Sequence, residues 1–305
     1  MLLSKNLKLI HIFRITWRID LLMLLLCCIA YYVDTKVATE ITIPPTLPTL
    51  MGTAIAFFVA FNNNQAYDRW WEARIIWGGL VNDSRSWARS LLKYVSVNAE
   101  NGIDHEQLRN IQERMIRRHI GFLYALKSSL RRDQNEDYKE YILTEELNEI
   151  SGNANTPEAI LYFQSQDLDF LSKAGCIDGF RFMQLDAKIN LFCDGMGKSE
   201  RINNTIFPPT YIFFTRIFIW IFIVLVTMAI TELTGAWSIL FGWIIGFVFH
   251  ATHINGLSII NPFEPKPACI PIDSITRTIE INLLQALKEK YIPSPVKDVG
   301  GEYIM

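Results

Sequence analysis

The chain has 305 residues, is 50% hydrophobic and carries a net charge of −2. A charge so near zero gives no bulk electrostatic case for nucleic acid, and the length permits one large domain or two medium ones. The five cysteines, at 27, 28, 176, 193 and 269, show no CxxC pairing, so neither a disulfide framework nor a zinc site is expected.

Four apolar segments are candidates for the membrane: Leu21–Val33, Leu47–Phe61, Ile217–Ile230 and Ala236–Phe249. Charges run up to Asp20 before the first, and no A-x-A-like site follows it, which argues against a cleaved signal peptide. Each core is 13 to 15 residues long, about 20 Å of helix against roughly 30 Å of hydrocarbon. Buried helices of a soluble protein can share that length. The sparse charge around the segments favours the membrane: Ile41–Ala66 has none, and Tyr211–Thr231 has only Arg216. Trp220, Trp237 and Trp243 suit interfacial or helix-contact positions. Thr231–Gly235, between the last two segments, reads as a tight hairpin. Lys5, Lys8, Arg14 and Arg18 precede the first segment and Arg69, Arg74, Arg85 and Arg89 follow the second, whereas the outer connections hold one basic residue, Lys36. The positive-inside rule then places both termini and the long middle in the cytoplasm.

The second segment leads into TAIAFFVAFNNNQAYDRWWEAR, Thr53 to Arg74. Thr53, Phe57 and Phe61 are four residues apart and stack on one helix face. In a ring of such helices that face is a hydrophobic throat; the alternatives are lipid contact or packing on a neighbour. Asn62, Asn63 and Asn64 follow, and their amides can meet anions or cations. Arg69, Trp70, Trp71 and Glu72 read as a structural anchor, and a buried Arg there needs an acidic or carbonyl partner.

From Gln65 to about Thr210 the pattern is polar and helical. Leu108, Ile111, Met115, Phe122 and Leu126 form one apolar stripe behind a cap at Asp104. Arg114, Arg117, Arg118, Arg131 and Arg132 read as a solvated, salt-bridged face, with an anion or lipid-head site as the alternative. Thr156-Pro157-Glu158 is a helix start with Thr as cap. A further helix runs from Ile177 towards Cys193, and Gly195 and Gly197 are expected to break it. In the tail, Ile275, Ile279, Leu283 and Leu287 line a helix capped by Asp273 or Ser274 and stopped by Pro293, and the Gly300-Gly301 end is expected to be loose.

No Walker loop, GxGxxG, HExxH or GxSxG occurs, so no enzyme chemistry is indicated. His250 and His253 could bind a metal, but without a third ligand nearby helix-end hydrogen bonding or interface anchoring is the better reading. No cofactor is implied.

Three stretches carry a resemblance: the second segment with Asp68-Arg69-Trp70-Trp71-Glu72; Gly197-Lys-Ser-Glu200-Arg201-Ile-Asn-Asn-Thr205; and Ile260-Asn261-Pro262-Phe263 with the helix from Arg277. In this order they resemble the bestrophin family of ion channels, in its bacterial branch. The resemblance implies an all-α membrane protein with four transmembrane helices per subunit, a large cytosolic helical region and a homopentamer around a central pore. Its parts would be residues 1–66 (transmembrane helices 1 and 2), 67–210 (cytosolic), 211–254 (transmembrane helices 3 and 4) and 255–305 (cytosolic helix and tail). The family's neck residues match Thr53, Phe57 and Phe61, with Thr53 departing from the usual aliphatic residue. A cytosolic constriction falls on Phe180, with Met183 next. Animal relatives follow Asn-Pro-Phe with a dense acidic run that binds calcium. Here Glu264 stands beside Lys266, too few oxygens for a cation that takes roughly six to eight, so calcium gating through that site is not expected.

The expected function is passive ion conduction, with self, monatomic ions and membrane lipids as partners. No Asp or Glu lies between Ile41 and Tyr67, which slightly favours anions such as chloride, or weak selectivity. A monovalent-cation channel of the same fold, a non-conducting scaffold, a membrane enzyme and a soluble helical protein are the alternatives. The expected location is a bacterial inner membrane.

Overall fold

The structure is a computed structural model in which the backbone is described for residues 9–97, 103–299 and 303. Lys5, Lys8 and the Gly300-Gly301 end lie outside those residues. In chain order the helices are α1 (Leu9–Tyr32), α2 (Thr46–Tyr94), α3 (His105–Arg131), α4 (Thr144–Gly152), α5 (Thr156–Lys173), α6 (Gly179–Asn204), α7 (Pro209–Thr234), α8 (Trp237–Leu257) and α9 (Ile272–Ala286). A π-helical turn, Val33–Val37, extends α1, and no strand is named among the described residues.

The chain forms two compact units. One draws on Ser4–Trp70 and Ile206–Asn261, the other on Trp71–Thr205 and Pro262–Met305. In the first unit Met23 and Cys27 of α1, Ile55 and Val59 of α2, and Ile219, Phe222 and Ile223 of α7 form one buried cluster, with Trp243 and Phe249 of α8 packed against it. Among the described residues, three helical spans are long and apolar enough to cross a bilayer: Thr16–Val37, Pro209–Thr234 and Trp237–Leu257. The expected fourth segment, Leu47–Phe61, is not among them. It opens the 49-residue α2, where Thr46, Thr49, Thr53 and the asparagines dilute its hydropathy. The expected hairpin is present, with α7 ending at Thr234 and α8 starting at Trp237.

The second unit is built around α3. Asp104 caps it in a capping box with Gln107. The apolar stripe is buried as expected, and Arg114 and Arg117 are partly exposed and salt-bridged, but the buried region is wider than one stripe: every residue from Arg118 to Ser128 is buried. Arg118 is 1% exposed, pairing with Glu146 at 2.5 Å and Asp167 at 2.6 Å and donating to the Phe163 carbonyl at 3.1 Å. The apolar count was too low to predict this because the arginine enters the core with its acidic partners attached.

Three boundaries differ from expectation. Asn155, not Thr156, caps α5, its side chain accepting from Glu158 N at 3.2 Å. α6 runs through Gly195 and Gly197 to Asn204. Gly195 is there for contact, since a Cβ would lie 2.9 Å from Leu80 Cδ2. α9 starts after Pro271 without a side-chain cap, and Asp273 instead pairs with Lys127 at 3.2 Å and Arg131 at 2.5 Å.

His119 is fully buried between the rings of Phe122 and Phe192, with Nε2 2.8 Å from Ser84 Oγ. The Ser84 hydroxyl donates to the Leu80 carbonyl, so it accepts from His119 Nε2–H, which makes the ring the neutral Nε2–H tautomer. Burial lowers its pKa from 6.5 to about 3.

Arg118→Ala leaves Glu146 without its partner, while Asp167 keeps Arg114, and a thermal or denaturant melt of the purified protein should show a loss of about 3 kcal/mol. The unfolded chain takes up a proton on His119 below pH 6.5, whereas the folded chain does so only near pH 3. Stability contributed by the neutral ring is therefore complete above pH 6.5 and falls as pH drops below it, by about 1.4 kcal/mol per unit at most. The difference in melting between pH 7 and pH 5 should shrink in His119→Gln.

Candidate functional site

α2 divides its faces sharply over the stretch from Thr53 to Ala66. Ile55, Val59, Asn62 and Ala66 recur at four- and three-residue steps and are buried at 2%, 3%, 5% and 1% exposure. On the open face Thr53 is exposed, Phe57 is 71% exposed and Phe61 42%. The register is fixed by hydrophobic contact on one side and by polar bonds further along. Asn62 Nδ2 donates to Thr215 Oγ1 of α7 at 3.2 Å, and Asn63 Nδ2 donates to the Thr252 carbonyl of α8 at 3.1 Å.

The open face is not uniformly apolar. Thr53 Oγ1 donates to the Thr49 carbonyl at 2.9 Å, and Thr49 Oγ1 to the Pro45 carbonyl at 2.8 Å. Phe57 meets Phe58 edge-on at 6.4 Å between centroids, and Phe61 lies 6.2 Å from the Tyr211 ring. Of the three asparagines, Asn64 is exposed; Asn62 and Asn63 are committed to helix contacts, each with a buried Oδ1 lacking a partner. A side chain at Gly256 of α8 would collide with Asn63 Oδ1, so the glycine lets α8 close on α2.

Past this point Arg69 Nε donates to the Ile260 carbonyl at 3.2 Å, and Tyr67 stacks on Trp70 at 5.9 Å. In the other unit Trp71 is 50% exposed and Glu72 pairs with Arg201. Phe180 and Met183, 85% and 69% exposed, occupy the first turns of α6, whose cap is Asp178 accepting from Arg181 N.

Other polar groups lie outside the α2 face. His250 and His253 are buried, at 5% and 2% exposure, rather than at an exposed helix end. His250 Nε2 and both ring nitrogens of His253 have no hydrogen-bond partner. Among the described residues no three His, Cys, Asp or Glu side chains are grouped to hold a metal. Glu264 is paired with Lys266. Nearby Cys269 is buried, and that burial, with Glu264 beside it, pushes its thiol up to about 11. Sequence reasoning missed Glu280, which is 1% exposed. It accepts from Tyr124 at 2.6 Å and Tyr141 at 2.7 Å and pairs with Arg277 at 3.0 Å. Burial and then the bond to Glu280 raise both tyrosines well above the usual phenol range. A carboxylate on the buried side of α9 was legible, but its tyrosine partners lie 139 and 156 residues away in sequence.

The family described as bacterial/fungal bestrophin protein matches residues 5–285. The chain is 26% identical over 264 residues to a voltage-dependent anion channel-forming protein of Nostoc, covering 85% of this chain and 84% of the relative. It is 28% identical over 261 residues to the voltage-dependent anion channel-forming protein YneE of Salmonella typhi, covering 85% and 82%. In fold it is similar to a crystal structure of a bacterial bestrophin homolog from Klebsiella pneumoniae, with TM-score 0.80 and 23% identity over 89% of this chain and 98% of that one.

The α2–α8 contact yields its own test. Gly256→Val should displace Asn63 and lower the melting temperature in detergent by several degrees, whereas Asn63→Ala, which removes one hydrogen bond worth about 1 kcal/mol, should cost less.

Proposed function

The chain belongs to the bacterial and fungal bestrophin family, and from that premise we propose that it is a homopentameric ion channel with one α2 per subunit facing a shared lumen. The names of its relatives support anion conduction. The observation that carries the reading is the open face of α2. Phe57 lies largely open and Phe61, beside Tyr211, is partly open, while the opposite face of the same turns is buried. Lipid is a poor solvent for the inner end of that face, where the exposed amide of Asn64 sits, whereas the Thr49 and Thr53 hydroxyls are met by backbone carbonyls. A water path gives the polar groups hydration and gathers the phenylalanines into rings.

In this reading rings of Phe57 and Phe61 form a neck that blocks ions by dewetting without physical closure. Thr53 makes the outer ring wetter than an aliphatic one. Asn64, the asparagine with an uncommitted amide, lines the inner exit; Asn62 and Asn63 hold the helix in register behind it. Phe180 and Met183 are assigned to a second constriction at the start of α6. Arg69, Trp70, Trp71 and Glu72 anchor the helix beyond the neck. α2 is the fourth membrane-crossing helix of each subunit, beside the three apolar spans. The membrane is the bacterial inner membrane, with both termini in the cytoplasm. The subunit divides at residues 66, 210 and 254 into membrane, cytosolic, membrane and cytosolic parts. Calcium does not gate at Glu264, whose charge is already met by Lys266. Nothing in the site pairs an acid with a base for catalysis.

The test is ion flux from liposomes, with the oligomer counted by imaging down its axis. Phe57→Ala combined with Phe61→Ala should raise flux several-fold by wetting the neck. Unchanged flux in that double variant removes the neck from its role.

A further inference from the structure

Beyond Phe61 the open face of α2 continues to Asp68. The two are seven residues apart, which on an α-helix returns to within about 20° of the same direction. The steps between them carry no charge: Asn64 and Gln65 are neutral amides and exposed. Asp68 is itself exposed and has no ion-pair partner among the described residues. The charges beside it are committed elsewhere. Arg69 turns its Nε to the Ile260 carbonyl, and Glu72 is paired with Arg201. Asp68 is therefore the first uncompensated charge met after the two aromatic rings, on the face those rings define.

We infer that Asp68 limits ion selectivity: repeated around the axis, its carboxylates form an acidic ring at the inner mouth of the neck that repels anions and concentrates cations. The inference rests on the lumen reading above and adds a specificity determinant to it. A ring of like charges at a narrow, low-dielectric constriction acts on every ion that passes, and its reach shrinks with salt, from a Debye length of about 30 Å at ~0.01 M to about 3 Å at ~1 M. The anion preference supported by the relatives' names is, in this chain, held down by Asp68 and released when the charge is removed.

The experiment is the reversal potential of the purified full-length channel in planar bilayers under asymmetric KCl, using K⁺ and Cl⁻ themselves as probes. Asp68→Asn should raise the chloride-to-potassium permeability ratio by about two- to fivefold near ~15 mM salt and by much less near ~0.5 M. Asp68→Glu should keep the wild-type value. Asp68→Cys provides a second route that does not depend on the Asn variant folding. A negatively charged methanethiosulfonate should restore the wild-type ratio, and a positively charged one should push it further towards chloride. Wild type treated in the same way controls for the exposed Cys28 and Cys193. An unmoved reversal potential in Asp68→Asn and with both adducts, in channels whose flux still responds to Phe57→Ala/Phe61→Ala, overturns the inference and leaves the lumen reading standing. Flux that ignores the Phe57 and Phe61 substitutions as well overturns both.

Discussion

The hydrogen bond from Asn62 to Thr215, with Ile55 and Val59 in the cluster behind it, sets the rotation of α2 about its own axis. Little else about the proposed site has meaning without it. A helix turned by two residues, about 200°, would bury Phe57 and Phe61 and expose the aliphatic face. Hydrophobic contact alone would resist that weakly, since one apolar face buries nearly as well as another. An amide inside an apolar bundle resists it strongly, because leaving it unpaired there costs more than the bond itself contributes. Asn63 on the Thr252 carbonyl, at the glycine that admits it, holds the next turn in the same way.

The other unit uses buried charge for a comparable purpose. Arg118 sits in the core with Glu146 and Asp167, and Glu280 sits among Tyr124, Tyr141 and Arg277. Each joins segments far apart in the chain: α3 to α4 and α5 in one case, α9 to α3 and the short turn Asp137–Tyr141 in the other. Such groups contribute little net stability over a well-packed apolar substitute, yet they penalise every arrangement that separates them. They select which helices meet, and the apolar contacts around them supply most of the free energy.

The open face of α2 changes character within five turns: committed hydroxyls at Thr49 and Thr53, two phenyl rings, a free amide at Asn64, then the carboxylate of Asp68. In the proposed lumen, conductance and selectivity are divided along its length. The rings set how readily water fills the path, and the groups on either side meet ions that remain hydrated.

The sequence alone determined the parts that depend on local pattern. Period-3.6 spacing gave the helices, the apolar runs gave the three spans long and apolar enough to cross a bilayer, and Thr53, Phe57 and Phe61 could be placed on one face by counting. Asp104 was legible as a cap because capping is set within one turn. The motifs in order carried the family, because they are strings of residues and need no coordinates. Tertiary structure decided which side of α2 is open, that Asn62 and Asn63 face inward while Asn64 does not, that α6 passes through Gly195 because Leu80 occupies the space of a Cβ, and that Arg118 belongs to the core. The physical reason is common to all four. Each turns on a partner 28 to 189 residues away, and periodicity reports only on neighbours within a few turns.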